Sequence, residues 1–566
     1  MAQGRQTQNV CHTLFVDSLL RDVLLQLSHR TSSHLCSKHV AYHPRIPIKY
    51  SLNKELIPQL KNGRQNKIVI GKVTTKLQQP IVLWILLFFL IRCIGITNPP
   101  LDVAHNWRQT TVTMVARNYL ETGGHFFYPQ IDVAGEKTGI TGMEFPLLNY
   151  LIYLVSKVFG HAHWYGRLIN LVVSSFGIYY FFLLVKKHIH EASAFPAAML
   201  LLGSIWFAYS RKIMPDTFAM SILIWGIYHG LNYIKRGKIL ALLLSAIGIT
   251  LGILCKLPMI FAIVPLALLW FDKVQPRNRI YSFFGVLALA VGLSFLYYFR
   301  WVPYLNEKFG FVHFFMGKSI QIGAMEILAN WKDVIEKYYL DALHFTGFTA
   351  WLVGLYFLWK QRKNQPALFY TIALATLAFF GIMLKSGTTF AIHSYYIVPF
   401  APVMALVAGY ALAQCKTQKI QNILLFIIIT ENVLNWQHDF RIKSAYAGFE
   451  KLEIHLDSLG ASRKDLIFVN SKEVPTTLYF AHRKGWCNHN DWILAPGRID
   501  SLANLGLKWV VVAKTAFGEP LPAQHLSILK TKPLTIPHEK WLANNRPIIQ
   551  RFENDYYQIY SLGKSR

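Results

Sequence analysis

The sequence predicts a polytopic α-helical membrane protein with a small α/β domain at its C-terminal end. Hydrophobic residues make up 53% of the 566 and charged residues only 15%, whereas a soluble domain carries about a quarter charged residues. The apolar residues also gather into segments of bilayer-crossing length, separated by short basic runs. From Gln437 onward, helix-like and strand-like stretches alternate instead. A formal charge of +29 could suggest nucleic acid. The charge lies, however, in short loops such as Lys186-Lys187-His188, Lys235-Arg236-Gly237-Lys238 and Lys360-Gln361-Arg362-Lys363, the cytoplasmic mark of a membrane protein. No nucleic-acid partner is expected.

Residues 1–79 are polar, basic and weakly patterned, and read as a poorly ordered cytoplasmic segment without a signal peptide. The first span covers residues 79–96, with Arg92 near its far end, where a long side chain can snorkel outward. Lys67, Lys72 and Lys76 precede it, which keeps the N-terminus inside and puts the following loop, 98–167, outside. Within that loop Leu147–Phe159 is apolar but shorter than the ~20 residues a crossing needs. It reads as a juxtamembrane helix at the outer surface; a short crossing is the alternative, and it would move the Lys186 run to the wrong side.

Spans then follow at 168–185, 194–209, 217–234, 240–254, 257–271, 281–299, 346–359, 368–384, 394–412 and 420–436. That gives about eleven, within a range of about 10–13, for a transmembrane domain at 80–436. Every strongly basic short loop falls on one side. A long outer loop runs over 300–343, and Glu431 inside the last span needs a partner facing the bundle. The C-terminal domain, 437–566, combines FEKLEIHLDSL, DLIFVN, DSLANLG, KWVVVA and a closing QRFENDYYQIYSL. An odd number of spans places it outside. The six cysteines show no CxxC or CxxH spacing and support neither a zinc knuckle nor a disulfide framework.

The outer loop gathers the chemistry. Asp102 lies a few residues beyond a span end, where an ionised carboxylate can act as general base on a hydroxyl; a helix cap or solvated acid is the plainer reading of such a residue. Arg108, Arg117, Arg211, Lys212, Lys256 and His393 fall on the same side. A basic set opposite a carboxylate suits a phosphate-bearing substrate at headgroup level. Each basic residue taken singly reads as a snorkelling side chain. Trp107, Tyr128, Trp164 and Trp206 read as interfacial anchors. Asp132 in Gln-Ile-Asp-Val suits an acceptor-site residue or a turn equally.

A first span, an acidic loop residue, a WRQ helix, YPQID and then GMEFPLLNYL…VFG together resemble the GT-C membrane glycosyltransferases. These include the protein O-mannosyltransferases, the lipid A aminoarabinose transferases and Rgt-like proteins. The resemblance covers residues 80–412. It matches Asp102 to the family's catalytic acid, Glu144-Phe145-Pro146-Leu147-Leu148 to its E-x-P-P-L element, Met214-Pro215-Asp216 to an outer acidic step, and Ile392-His393-Ser394-Tyr395-Tyr396 with Pro399 to a later H-x-Y-Y…P element. It implies an inverting transferase that moves a sugar from a polyprenyl-phosphate donor to a glycan, lipid or protein hydroxyl, in a bacterial inner membrane. Asp102 would be the base. Arg108, Arg211, Lys256, His393 and Tyr396 would hold donor phosphate, with Glu144, Asp132 and Asp216 supporting or facing the acceptor. It also admits a divalent metal at Glu144 and His393. The single Asp102, where many members carry an acidic pair, is a departure. A transporter or lipid-linked sugar flippase is the rival class; the absence of an evident repeat argues against it.

Overall fold

The computed structural model describes residues 81–314, 317–514 and 546–563. The chain divides at Gln79/Pro80. The segment 1–79, expected to be a poorly ordered tail, lies outside the described residues. From Pro80 onward the chain is one compact unit.

Helix α1 (Ile81–Arg92) precedes helices α2 (Asn106–Thr122) and α3 (Leu147–Phe159). The bundle follows with α4 (Tyr165–Leu184), α5 (Ala194–Gly203), α6 (Pro215–Arg236), α7 (Ile239–Cys255), the 3-10 helix Leu257–Phe271, α8 (Arg277–Leu296), α9 (His344–Lys360), α10 (Pro366–Ser386), α11 (Ala401–Ala413) and α12 (Gln418–Trp436). Helix α6 shows why such sequences form helices where they do. Pro215 opens it with Asp216 in the first turn, and Lys235-Arg236 lead into Gly237, whose left-handed φ of 71° ends it. Helices α6 and α7 approach with almost no side chain between them: a Cβ on Gly226 would lie 2.6 Å from the Ile249 nitrogen, and one on Gly252 2.7 Å from the Leu223 Cβ. The Gly248-x-x-x-Gly252 spacing, a close-packing signature of membrane helices, lies on this seam.

The span count differs from the expected eleven. Among the described residues four helices are long and apolar enough to cross a membrane, or five if one bent pair counts as a single span. Three local causes account for part of the difference. The expected span 194–209 breaks at Ser204, whose Oγ accepts from the Trp206 nitrogen at 3.2 Å while the Ile205 nitrogen donates to the Ala342 carbonyl. Leu257–Phe271 carries Pro258 and Pro265 and winds as a 3-10 helix of 15 residues, which at about 2 Å per residue still extends about 30 Å. The expected span 346–359 belongs to α9, bent by 99° against Trp331–Ala342. Glu431 holds that bend by accepting from the Thr346 nitrogen at 2.9 Å and from its hydroxyl, the bundle-facing partner its position demanded. Arg92 does not snorkel. It is fully buried, donating to the Phe88 carbonyl at 3.0 Å and the Ser210 hydroxyl at 2.5 Å.

At the C-terminal end five strands form one sheet, β1 (Leu466–Val469), β2 (Gly485–Cys487), β3 (Leu507–Ala513), β4 (Ile548–Glu553) and β5 (Tyr557–Leu562), in the order β2-β1-β3-β5-β4. The first three are parallel and the last two antiparallel. Alternation sorts β1 and β3: Ile467, Val469 and Val511 face one core, Phe468, Val510 and Val512 the other. The first core also contains Leu101, Met114, Val115, Tyr119 and Ile131. The sheet and the 98–131 segment, α2 included, therefore share one core.

Candidate active site

Asp102 is buried at 6% exposure, and both of its oxygens are engaged. One accepts from Arg167 Nη2 at 2.8 Å, the other from Gln109 Nε2 at 2.9 Å. The Arg167 guanidinium also donates to the Ile96, Asn98 and Pro99 carbonyls, so one buried side chain wraps the turn that leads out of α1. Gln109 turns its carbonyl oxygen to the Ile213 nitrogen at 3.2 Å, tying Asp102 to the segment before α6. The backbone of Asp102 pairs with Ile442, and the Lys443 nitrogen donates to the Leu101 carbonyl at 3.0 Å. Lys212 donates to the Ala104 carbonyl at 3.0 Å and pairs with Asp439 at 3.1 Å.

A second charged centre adjoins the first. Arg108 meets Glu144 at 2.5 Å, and Lys256 meets Glu144 at 2.8 Å and Asp216 at 3.2 Å. Consecutive residues of α2 thus serve the two centres, Arg108 reaching Glu144 and Gln109 reaching Asp102. Lys256 occupies the extended step between α7 and the 3-10 helix, at φ −155° and ψ 99°; the break projects it. Asn306 holds the approach to Glu144 by accepting from the Gly142 nitrogen at 2.9 Å. Burial would raise the Glu144 carboxyl, but Arg108 and Lys256 more than offset it and hold it at about 2. Burial likewise opposes the Arg108 charge, and Glu144 overcomes it, raising Arg108 above its ordinary value.

Tyr395 is the hub between these charges and the histidines. Arg108 and Lys256 lie 5.8 and 5.5 Å from its ring centre, and His105, His393 and Tyr396 lie 4.9, 5.2 and 4.8 Å away. Burial, with Arg108 nearby, pushes His393 down to about 4, so it is neutral at physiological pH. His105, in a left-handed conformation at φ 57°, bonds the Ser394 hydroxyl at 3.1 Å, and Ser394 bonds the Tyr209 hydroxyl at 2.6 Å.

The structure therefore gathers Arg108, Glu144, Lys256 and Asp216 directly, with His393 and Tyr396 beside them through Tyr395. Arg211 lies on the Asp102 side, its guanidinium 3.9 Å from the Phe440 ring centre. Asp132 is placed elsewhere, at the junction with the C-terminal sheet: it accepts from Arg117 at 2.7 Å and Asn118 at 2.8 Å, and its carbonyl accepts from the Gly485 nitrogen at 2.9 Å. Of Glu144 and His393, offered to a divalent metal, Glu144 meets Arg108 and Lys256 through the same oxygen, Oε1, and among the described residues no three His, Cys, Asp or Glu side chains group as ligands. Sequence reasoning missed Arg167 and Asp439. Arg167 stands near the end of an apolar segment, where a functional arginine and a snorkelling one look alike.

A family model described as dolichyl-phosphate-mannose-protein mannosyltransferase matches residues 144–299. Among solved structures the chain is similar to ArnT from Cupriavidus metallidurans. The apo state superposes with a TM-score of 0.54 at 13% identity, covering 85% of this chain and 98% of that one. The state bound to undecaprenyl phosphate gives 0.52 at 12% identity, covering 84% and 98%. The oligosaccharyltransferase of Archaeoglobus fulgidus in its apo form follows with 0.48 at 12% identity, covering 76% and 69%. A comparison with curated proteins returns no match. The chain carries the fold of the GT-C membrane glycosyltransferases, in agreement with the motifs between residues 98 and 167.

Proposed function

We propose that the protein transfers a sugar from a polyprenyl-phosphate donor to an acceptor hydroxyl on the extracytoplasmic face of a bacterial inner membrane. The observation that carries this reading is the buried Asp102 carboxylate, fixed by Arg167 and Gln109 at the start of α2, one residue register from the Arg108–Glu144–Lys256 centre. An ArnT of the same fold binds undecaprenyl phosphate, which supports a lipid-phosphate donor here. Asp102 takes the acceptor proton as its oxygen attacks the anomeric carbon. The bond from that carbon to the phosphate oxygen breaks, its electron pair leaves with the lipid phosphate, and the sugar inverts. Cations from the set Arg108, Arg211, Lys256, with His393 and Tyr396, stabilise charge growing on the leaving phosphate. Asp216 and Glu144 hold the lysine and arginine in place, and Asp132 orders the loop toward the acceptor side.

The N-terminus is read as cytoplasmic and the C-terminal domain as extracytoplasmic, since the basic runs at Lys186, Lys235 and Lys360 then share the inner side. A flippase is the second reading, favoured by the breaks at Ser204 and Leu343, since interrupted helices line many transport sites. The test is incubation of purified protein with a panel of polyprenyl-phosphate sugars and an extract of envelope acceptors, following release of free lipid phosphate. Release with sugar appearing on an acceptor supports transfer. Movement of the intact donor between leaflets of a vesicle without release supports the flippase.

A further inference from the structure

Helices α4 and α6 both run away from the charged centres. Arg167 in the first turn of α4 reaches Asp102, and Asp216 in the first turn of α6 meets Lys256. At about 1.5 Å per residue, the 20 residues of α4 and the 22 of α6 carry the chain roughly 30 Å, one hydrocarbon core, to their far ends. Lysines and arginines converge there from three segments: the π-helical turn Val185–Ile189 after α4, the end of α6, and the start of α8. Arg279 donates to the Ile234 and Lys235 carbonyls at 3.3 and 3.2 Å, and its Cζ lies 2.8 Å from where a Cβ on Gly237 would stand. Lys235 donates to the Lys187 carbonyl at 3.0 Å, and Lys187 to the Tyr228 hydroxyl at 2.7 Å.

All of these partners are neutral. Among the described residues Lys186, Lys187, Lys235 and Arg279 make no ion pair, and the buried Lys186 Nζ, 5.7 Å from the Phe182 ring centre, has no hydrogen-bond partner. An ammonium withdrawn from water without a counter-anion is costly. The bonds to helix-end carbonyls also fix the cations relative to one another, while Lys187 and Lys235 stay exposed. The surface beside them is apolar. Ile239 and Leu240, directly after Lys238, are 64 and 63% exposed, and Tyr281, two residues beyond Arg279, packs its exposed ring 5.6 Å from that of Trp270. Cations beside an exposed apolar and aromatic band match a ligand that joins a phosphate to alkyl chains. The run at Lys360 differs: Arg362 bonds the Trp359 carbonyl at 2.8 Å and covers that ring, and Lys360 covers Tyr356, all within one turn. We propose that Lys186, Lys187, Lys235 and Arg279 bind the headgroup phosphate of an anionic phospholipid, whose acyl chains lie along Ile239, Leu240 and Tyr281. The site stands apart from sugar transfer at the other end of the bundle and does not depend on it.

The test is a thermal-unfolding titration of the full chain in neutral detergent, with dioleoylphosphatidylglycerol, dioleoylphosphatidylcholine and inorganic phosphate in separate arms. Wild type should gain Tm with phosphatidylglycerol at concentrations where the other two have no effect. Each Lys or Arg near an anionic headgroup is worth about fivefold in affinity, so Lys186→Gln/Lys187→Gln/Lys235→Gln should need on the order of 100-fold more lipid. The same three lysines changed to arginine should respond like wild type. So should Lys360→Gln/Arg362→Gln/Lys363→Gln, which loses as much charge from another basic loop. Should the glutamine triple fail to fold, Lys186→Gln alone, which breaks no hydrogen bond, should need about fivefold more lipid. A glutamine triple, or in its place Lys186→Gln, that responds like wild type overturns the site. Equal weakening in the Lys360 variant replaces it with a general attraction between charges. An equal response to phosphatidylcholine removes the role of the cations, and an equal response to inorganic phosphate removes the lipid.

Discussion

Replacing Glu144 by glutamine keeps the side chain's shape and removes the charge that Arg108 and Lys256 share. Its side chain is 9% exposed and bonded at 2.5 and 2.8 Å to the two cations. A carboxyl held at about 2 against an ordinary 4.5 is stabilised by about 3 kcal/mol in its ionised form. Breaking a buried pair by removing one partner costs about 3–5 kcal/mol, which agrees. Because the folded value is depressed, this contribution is fully present above about 4.5 and is lost as pH falls toward 2. With an unfolding entropy of about 2.1 cal/mol/K per residue over 566 residues, Tm should fall by about 2–3 °C at pH 7. The measurement is scanning fluorimetry in detergent from pH 3 to pH 8. The gap between Glu144→Gln and wild type should close as the pH drops. Equal melting at pH 7, or a gap independent of pH, refutes the pairing.

His482 bridges Glu121 at 2.5 Å and Glu453 at 3.0 Å across the junction of α2 and the C-terminal domain, with Arg117 on α2 and Arg463 on Glu453 as the neighbouring cations. Burial opposes its charge and the two carboxylates outweigh that, raising its pKa. The clamp is therefore fully present below about 6.5 and released as pH rises past the raised value. Limited proteolysis of the C-terminal domain should accelerate between pH 6 and pH 9 in wild type and be insensitive to pH in His482→Gln. Cysteines introduced singly beside Asp102 and beside Lys186, in a background stripped of native thiols, should label from opposite faces of sealed vesicles; labelling from one face removes the proposed orientation.

The composition and the short basic loops made the membrane class legible, and DLIFVN and KWVVVA announced β1 and β3 because strands buried on both faces read as continuous apolar runs. Asp102, Glu144 and Lys256 were legible as polar residues at the ends of apolar segments. What they touch was not. The Arg167–Asp102 pair joins residues 65 apart in sequence, and Lys256–Glu144 joins residues 112 apart; a single sequence carries no signal for such pairings. The breaks at Ser204 and Leu343 were also hidden, since each depends on a tertiary partner, Ala342 for the Ile205 nitrogen and Glu431 for the Thr346 nitrogen. Leu257–Phe271 looked like a short α-helical span because hydropathy counts residues, while a 3-10 helix gains more length from each.

Sugar transfer at Asp102 is tested most directly by the rate of lipid-phosphate release from a polyprenyl-phosphate sugar, wild type against Asp102→Asn, at matched protein amount and matched Tm. The amide keeps the side chain's size but is a far weaker base, and its NH2 meets a donor where Asp102 accepts from Arg167 or Gln109, which is why Tm is matched. Loss of a positioned general base predicts a fall of about 10²–10⁴-fold. Release within twofold of wild type would contradict the assignment.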